Sequence, residues 1–132
     1  MERSEERTIV IIPALNEEET IGEVIRGCHE ALHGRTYEIL VVDGRSSDDT
    51  VDIASREGAK VIVQTGSGYG DALMCGFRYA LRVYKADIVV MMDADGTYPP
   101  LSIVDLLEPI LHDRADLVIG NRFANLEKGA MP

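Results

Sequence analysis

Strand and helix signals alternate regularly along the 132 residues of this chain, which limits the fold to a few architectures. Runs rich in β-branched and apolar residues predict strands at 8–12, 37–42, 60–65, 86–92 and 116–119, and Pro13 is expected to end the first. Strict β-α alternation with short connections predicts a parallel sheet with right-handed crossovers and helices on both faces. We therefore predict an α/β protein with a Rossmann-like, mostly parallel sheet of about five strands and four helices.

Helical patterns occupy the intervals between these strands. The first helix carries one apolar stripe of 3.6-residue period from Ile21 to Leu32, and the second runs from the polar cluster 46–49, which suits an N-cap, to Gly58. The third, from about 70 to 84, is expected to bury Leu73, Phe77, Ala80, Leu81 and Tyr84. The fourth follows Pro99-Pro100, with Pro109 interrupting it, and carries Leu101, Val104, Leu107 and Leu111.

Composition limits the classes of function. The length predicts one domain, and a formal charge of −10 argues against nucleic acid and anionic membrane surfaces as direct partners. No apolar run approaches the roughly 20 residues that span a bilayer, and the charged amino terminus lacks a signal-peptide core, so we expect a cytoplasmic location. Cys28 and Cys75 lie on apolar helix faces without metal-ligand spacing, which predicts buried thiols in a reducing compartment.

A candidate metal site follows the fourth predicted strand. Asp93-Ala94-Asp95 comes directly after the apolar run 88–92, and ligands collect where the strands of open parallel sheets end. If the chain stays extended, side chains two residues apart point the same way. Asp93 and Asp95 could then face one hard cation, Mg²⁺ or Mn²⁺, and its phosphate ligands.

The other loops at this edge of the sheet are also polar. They contain 13–19, 43–48, 66–71 and 120–122, although Glu17 to Glu19 would also suit a helix N-terminus and Asp48 a cap. The loop 66–71 contains Gly66, Gly68 and Gly70, but the dinucleotide fingerprint requires a glycine three residues after its second one, and Asp71 stands three residues after Gly68. The glycines either bring the backbone close to a nucleotide or form a plain turn.

Four motifs in order resemble those of the family 2 glycosyltransferases with a GT-A fold. They are Ile11-Ile12-Pro13-Ala14-Leu15-Asn16-Glu17, then Val41-Val42-Asp43-Gly44-Arg45-Ser46-Ser47-Asp48-Asp49-Thr50, then Asp93-Ala94-Asp95-Gly96 and Asp116-Leu117-Val118-Ile119-Gly120-Asn121-Arg122-Phe123. The last two resemble most closely the polyprenyl-phosphate (dolichyl-phosphate) mannosyl- and glucosyltransferases. The resemblance covers essentially the whole chain.

The resemblance implies a role for each matching residue. Asp93 and Asp95 would hold Mg²⁺ or Mn²⁺ against the diphosphate, Asp43 would accept a hydrogen bond from the base, and Arg122 would hold a phosphate. Asp93, Asp95 and Arg122 are also the implied catalytic residues. The implied nucleotide-binding set is Pro13, Ala14, Leu15, Glu17, Val42, Asp43, Gly70, Asp71, Asp93 and Ala94.

The reaction implied is transfer of a hexose from a nucleoside diphosphate sugar, GDP-mannose or UDP-glucose, to an acceptor such as a polyprenyl phosphate. Residues 1–132 would form a single nucleotide-sugar-binding domain, the donor half of the family, and the lipid acceptor would bring it to the membrane periphery. The alternative is a fragment that binds nucleotide and metal but turns over slowly or not at all. Apolar surface left by the missing half would then favour a homodimer.

Several features depart from the family or favour rivals. Many relatives carry a second acidic residue where Gly44 stands and a lysine in the glycine loop, and this chain has neither. A receiver-like signalling module would need an acidic pair after strand one, where Pro13-Ala14 stands. A sugar-phosphate nucleotidyltransferase would need a glycine-rich, basic first loop, which 13–17 does not supply.

Overall fold

The computed structural model describes residues 6–96 and the backbone of residues 118–120. Within these ranges, strands alternate with helices as the sequence predicts. The elements are β1 (Thr8–Ala14), α1 (Ile21–Ala31), β2 (Tyr37–Asp43), α2 (Thr50–Arg56), β3 (Lys60–Val63), α3 (Tyr69–Arg82), β4 (Ile88–Met92) and β5 (Val118–Gly120). The α/β class and all five predicted strands are confirmed, whereas the fourth predicted helix lies outside the described residues.

The five strands form one parallel sheet in the order β3-β2-β1-β4-β5. The chain moves outward from β1 to β3 and then crosses back to β4 on the other side of β1. The order therefore reverses at β1, and in such sheets ligands bind at the carboxyl edge beside the reversal. The register aligns this edge, because Ala14 pairs with Asp43 and Asp43 pairs with Val63.

Helices cover both faces of the sheet, as predicted. One core joins α1 and α2 to residues of β1 such as Val10 and Ile12, and the other joins α3 to Ile9 and Ile11. All four of these β1 side chains have no solvent exposure. A near-continuous apolar strand is the pattern expected of a central parallel strand buried on both faces.

Helix α3 lies unusually close to the sheet at Gly76. A Cβ atom at this position would lie 2.5 Å from Ile11 Cγ2 and 3.0 Å from Val42 Cγ2. The residues of α3 that are fully buried are consequently small: Ala72, Gly76 and Ala80. The prediction that Leu81 is buried was wrong, since it is 46% exposed, and Leu73, Phe77 and Tyr84 flank the contact as half-buried side chains.

The strand ends differ from the predicted ones in ways that matter for the edge. Pro13 does not end β1, which continues to Ala14. The Ala14 carbonyl accepts a hydrogen bond from the Gly44 N–H at 2.8 Å, so the backbone polar groups of Ala14 point toward β2. Those of Pro13 point toward β4, and the pairing of β1 with β4 already ends at Ile11. The missing N–H of Pro13 therefore breaks no ladder hydrogen bond. Strand β3 ends at Val63, two residues before the predicted end, which leaves Gln64 in the loop.

The structure also shows how far the two cysteines are buried and whether any helix could span a membrane. Cys28 is fully buried, as predicted, whereas Cys75 is half-buried, and both are free. No helix in the described ranges is both long and apolar enough to cross a membrane.

Candidate active site

A pocket of about 530 Å³ lies at the carboxyl edge of the sheet. The loops after β1, β2, β3 and β4 all contribute to it. Its lining residues are Pro13, Ala14, Leu15, Glu17, Gly44, Arg45, Gln64, Ser67, Gly68, Tyr69, Ala72, Asp93, Ala94 and Asp95. The pocket is thus where the strand order predicts a ligand site.

Seven of the predicted site residues meet in this pocket. They are Pro13, Ala14, Leu15, Glu17, Asp93, Ala94 and Asp95. Val42, Asp43, Gly70 and Asp71 do not line it, and Arg122 lies outside the described residues. The roles assigned to all of these residues remain predictions.

The two aspartates that follow β4 form the acidic end of the pocket. Asp93 is half-buried and Asp95 is exposed. The Tyr69 hydroxyl, at the start of α3, donates a hydrogen bond of 3.0 Å to Asp93 Oδ1. Burial and the negative charge of Asp93 raise the pKa of Tyr69 to about 12, so this phenol stays protonated and remains a donor at neutral pH.

Glu17 brings a third carboxylate to the same end. Its backbone N–H donates to Thr50 Oγ1 at 2.8 Å, and its carbonyl accepts from the first turn of α1. Partial burial raises the pKa of Glu17, and the charges of Asp95, Asp48 and Asp93 raise it further. The like charges repel one another across the site, and a bound divalent cation would relieve that repulsion.

The carboxylates of the pocket suit a hard cation that is held partly by the protein and partly by the phosphates of a bound substrate. In the part of the chain that the structure describes, no three His, Cys, Asp or Glu side chains are grouped closely enough to hold a metal by themselves. Mg²⁺ in nucleotide enzymes is bound through one or two carboxylates, with substrate phosphates and waters completing the shell. Asp93 and Asp95 both line the pocket and have the chemistry of such a donor set, but the chain turns at Ala94 and Asp95, so the extended conformation considered from the sequence is not found.

Asp43 holds the loop after β2 in place. Its side chain is 2% exposed, and its carboxylate accepts hydrogen bonds from the N–H groups of Arg45 at 3.0 Å and Ser46 at 3.1 Å. The adjoining loop is connected to the β1 loop, because Asn16 N–H donates to Ser46 Oγ and Ser47 N–H donates to Asn16 Oδ1, both over 2.8 Å. These bonds fix one wall of the pocket.

The glycine loop after β3 is organised around Asp71. Its carboxylate accepts from Gln64 Nε2 at 2.9 Å and from the Gly66 N–H at 3.1 Å. A Cβ atom at Gly66 would lie 2.7 Å from Asp71 Oδ1, and Gly68 has a φ of +90°. Two of the three glycines are therefore required by the loop itself.

Seven pocket residues were not among those predicted: Gly44, Arg45, Gln64, Ser67, Gly68, Tyr69 and Ala72. All of them except Gln64 and Ala72 lie in the loops that follow predicted strands, so the rule that loops at the carboxyl edge carry the site could have found them. The sequence pattern places Gln64 inside a strand that is predicted to end at residue 65. Only the true end of β3 at Val63 brings it to the edge.

Comparisons with known proteins agree with this geometry. The family model described as Glycosyl transferase family 2 matches residues 9–130. Glycosyltransferase AglJ of Haloferax volcanii is 40% identical over 123 residues, which cover 92% of this chain and 38% of that protein. Dolichol-phosphate mannosyltransferase of Pyrococcus furiosus is 39% identical over 119 residues, covering 86% of this chain and 32% of that protein. The chain spans less than half the length of either relative.

A solved structure shares the fold. Glucosyl-3-phosphoglycerate synthase of Mycobacterium tuberculosis, in complex with Mn²⁺, UDP and glucosyl-3-phosphoglycerate, superposes with a TM-score of 0.67 at 32% identity. The match covers 80% of this chain and 40% of that chain. It confirms the Rossmann-like GT-A architecture that the sequence motifs imply.

Proposed function

This chain belongs to glycosyltransferase family 2, and from that premise we propose that its pocket binds a nucleoside diphosphate sugar whose hexose the protein transfers to an acceptor. The observation that carries the proposal is that Glu17, Asp93 and Asp95 all line one pocket at the carboxyl edge. The donor would be GDP-mannose or UDP-glucose.

Asp93 and Asp95 would hold a Mg²⁺ or Mn²⁺ ion at this end of the pocket. The ion would neutralise the charge that develops on the departing diphosphate. The Mn²⁺ and UDP in the related mycobacterial synthase support this part of the proposal. Tyr69 would keep Asp93 oriented toward the ion through its hydrogen bond to Oδ1.

The acceptor in this proposal is a polyprenyl phosphate. Relatives such as the dolichol-phosphate mannosyltransferase of Pyrococcus furiosus support it. A phosphate oxygen is already ionised near neutral pH, so the reaction does not need a strong general base of the kind that an alcohol acceptor requires. Arg122 is the residue proposed to hold a phosphate.

The proposed location is the cytoplasm, at the membrane periphery through the lipid acceptor. The free thiols of Cys28 and Cys75 are consistent with a reducing compartment. A second candidate function follows from the share of the relatives that the chain spans, 38% and 32%. In this second case the chain as it stands binds donor and metal but does not transfer sugar.

Calorimetric titration with GDP, UDP, GDP-mannose and UDP-glucose, each with and without Mn²⁺, tests the proposal. We expect one base to bind in a metal-dependent manner and Asp95→Ala to abolish that binding while the fold is retained, because the exposed Asp95 side chain lies outside both cores. Asp52→Ala, which removes an exposed carboxylate from α2 away from the pocket, is the matched control. Metal-independent binding, or unchanged binding by Asp95→Ala, would contradict the metal site.

A sugar-transfer assay then separates the two candidate functions. The donor that binds is incubated with a polyprenyl phosphate and Mn²⁺, and the glycolipid product is measured. Product formation supports the transferase, and donor binding without product supports the binding-only chain.

A further inference from the structure

The end of the pocket opposite the carboxylates contains a buried amide with a fixed orientation. Gln64 is 5% exposed and lines the pocket. Its Nε2 donates to the Gly68 carbonyl at 3.2 Å and to Asp71 Oδ2 at 2.9 Å. The amide has two N–H donors and both face acceptors, so the opposite orientation would place Oε1 against two oxygens. The nitrogen must therefore face the glycine loop, and Oε1 faces away from it.

The oxygen of this amide is turned toward Gly44. A Cβ atom at position 44 would lie 3.1 Å from Gln64 Oε1. Gly44 also lines the pocket, and its lack of a side chain leaves this acceptor uncovered on that side. The pair of Gly44 and Gln64 thus presents one oriented hydrogen-bond acceptor to a ligand.

A cationic donor stands beside this acceptor. The Arg45 guanidinium donates to the carbonyls of Gln64 and Gly66, each at 2.9 Å, which links the loop after β2 to the loop after β3. Arg45 lines the pocket and has a φ of +68°, so the loop holds it in the left-handed region. A guanidinium has five N–H donors, and these two bonds leave others for a ligand.

The acceptor and donor lie far from the metal end of the site. Gln64 follows β3 and Asp93 follows β4, and these strands are separated by β2 and β1. Three strand spacings amount to about 14 Å. A nucleoside diphosphate whose phosphates lie at the carboxylates would place its base near Gln64 and Arg45.

We propose that Gln64 Oε1 and the Arg45 guanidinium read the base of the nucleotide, the first by accepting from a ring N–H and the second by donating to the adjacent ring carbonyl. This inference rests on the proposed function. Uracil carries such a pair at N3–H and O4, and guanine carries one at N1–H and O6. Cytosine and adenine present an unprotonated ring nitrogen and an amino group instead, which would oppose both protein groups.

Gln64 then takes the role of base acceptor that the resemblance implies for Asp43. The Asp43 carboxylate accepts from the Arg45 and Ser46 N–H groups and is 2% exposed, whereas Gln64 lines the pocket. Asp43 then shapes the loop that carries the guanidinium. Its effect on base recognition is indirect.

Calorimetry with UDP, GDP, CDP and ADP in the presence of Mn²⁺ tests the inference. The wild-type chain should bind UDP or GDP at least about 10-fold more tightly than CDP and ADP. Gly44→Ala places a methyl group 3.1 Å from Oε1 and so covers this acceptor. This substitution should lower the affinity for the preferred nucleotide by about 10-fold and change the affinity for CDP by less than about 3-fold. An equal loss for both nucleotides would indicate a general clash and would overturn the inference.

A modified nucleotide provides a test that does not depend on a variant. Methylation at N3 of UDP, or at N1 of GDP, removes the ring N–H and should weaken binding to the wild-type chain by about 10-fold. The same methylation should lower the affinity of Gly44→Ala much less, because the alanine methyl group already covers the Gln64 acceptor in that variant. Unchanged binding of the methylated nucleotide would overturn the inference. Equal affinity for all four nucleotides would contradict base recognition by Gln64 and Arg45 but not the proposed function. No binding of any nucleotide would contradict both.

Discussion

Tyr69 donates its hydroxyl hydrogen to Asp93 Oδ1 across 3.0 Å, and this bond joins the first residue of α3 to the first residue after β4. The strands that precede these two segments, β3 and β4, lie on opposite sides of β1 in the sheet order, and both residues line the pocket. The geometry of the acidic end therefore depends on where α3 begins. The beginning of α3 depends in turn on the glycine loop that Asp71 and Gln64 organise.

Tyr69→Phe should weaken Mn²⁺-dependent nucleotide binding about 5-fold, since one hydrogen bond to a charged carboxylate contributes about 1 kcal/mol or more. Stability should change by less than about 0.5 kcal/mol, because Tyr69 is 51% exposed. Calorimetry and urea denaturation measure the two effects. Tyr79→Phe, on the same helix but outside the pocket lining, is the control, and equal affinities for the two variants would refute the positioning role of Tyr69.

Thr50→Val should destabilise the fold and disturb the Glu17 loop together. Thr50 is fully buried, and its hydroxyl accepts from the Glu17 N–H at 2.8 Å and donates to Asp48 Oδ1. Valine leaves both partners without this hydroxyl, at a cost of about 1–3 kcal/mol in the free energy of unfolding. Urea denaturation measures the loss. Thr50→Ser keeps the hydroxyl and should recover most of it, so similar losses in both variants would count against the hydrogen bonds as the cause.

Gly76→Ala should cost about 1–3 kcal/mol, because the new methyl group would overlap the side chains of Ile11 and Val42. Both side chains are β-branched, fully buried and held on strands, so neither can move aside freely. Thermal and chemical denaturation measure the effect. Met74→Ala, at a position of α3 that is 52% exposed, should change stability by less than about 0.5 kcal/mol. If the two substitutions cost the same, α3 does not approach the sheet as closely as described.

The pH dependence of stability should reveal the ionisation of the buried Cys28 thiol. Burial raises the pKa of its thiol from 9.0 to about 12. The folded state binds this proton more tightly than the unfolded state, so the contribution to stability is full below pH 9 and is lost as the pH rises toward 12. The wild-type chain should therefore lose up to about 1.4 kcal/mol per pH unit more than Cys28→Ala in that window. Urea denaturation at pH 8 and pH 10.5 measures the difference, and parallel losses in the two proteins would contradict it.

The sheet could be predicted because its strands are apolar on both faces and turn signals separate them. The runs at 8–12 and 88–92 needed no tertiary information, since their burial on both faces follows from composition alone. The position of Asp93 and Asp95 followed for the same reason: a strand end is a local signal. The prediction for α3 failed at Leu81 because the close approach at Gly76 is set by the shapes of both surfaces, which a helical period does not contain.

The remaining part of the site depends on contacts between loops. The orientation of Gln64 requires the Gly68 carbonyl and Asp71, and the conformation of Arg45 requires carbonyls from the next loop. None of these contacts has a sequence period or spacing that would indicate it. A positive φ at an arginine is contrary to local preference, so only the surrounding hydrogen bonds explain it.

Mn²⁺ binding tests the proposed metal site. It is measured by the electron paramagnetic resonance signal of the free ion, with GDP or UDP present at a fixed concentration. The wild-type chain with nucleotide should bind Mn²⁺ at least about 10-fold more tightly than the nucleotide alone, because two protein carboxylates join the phosphates as ligands. Asp95→Ala with nucleotide should bind Mn²⁺ no more tightly than the nucleotide alone. Equal Mn²⁺ affinity for the wild-type chain and Asp95→Ala would rule out Asp95 as a ligand of the ion.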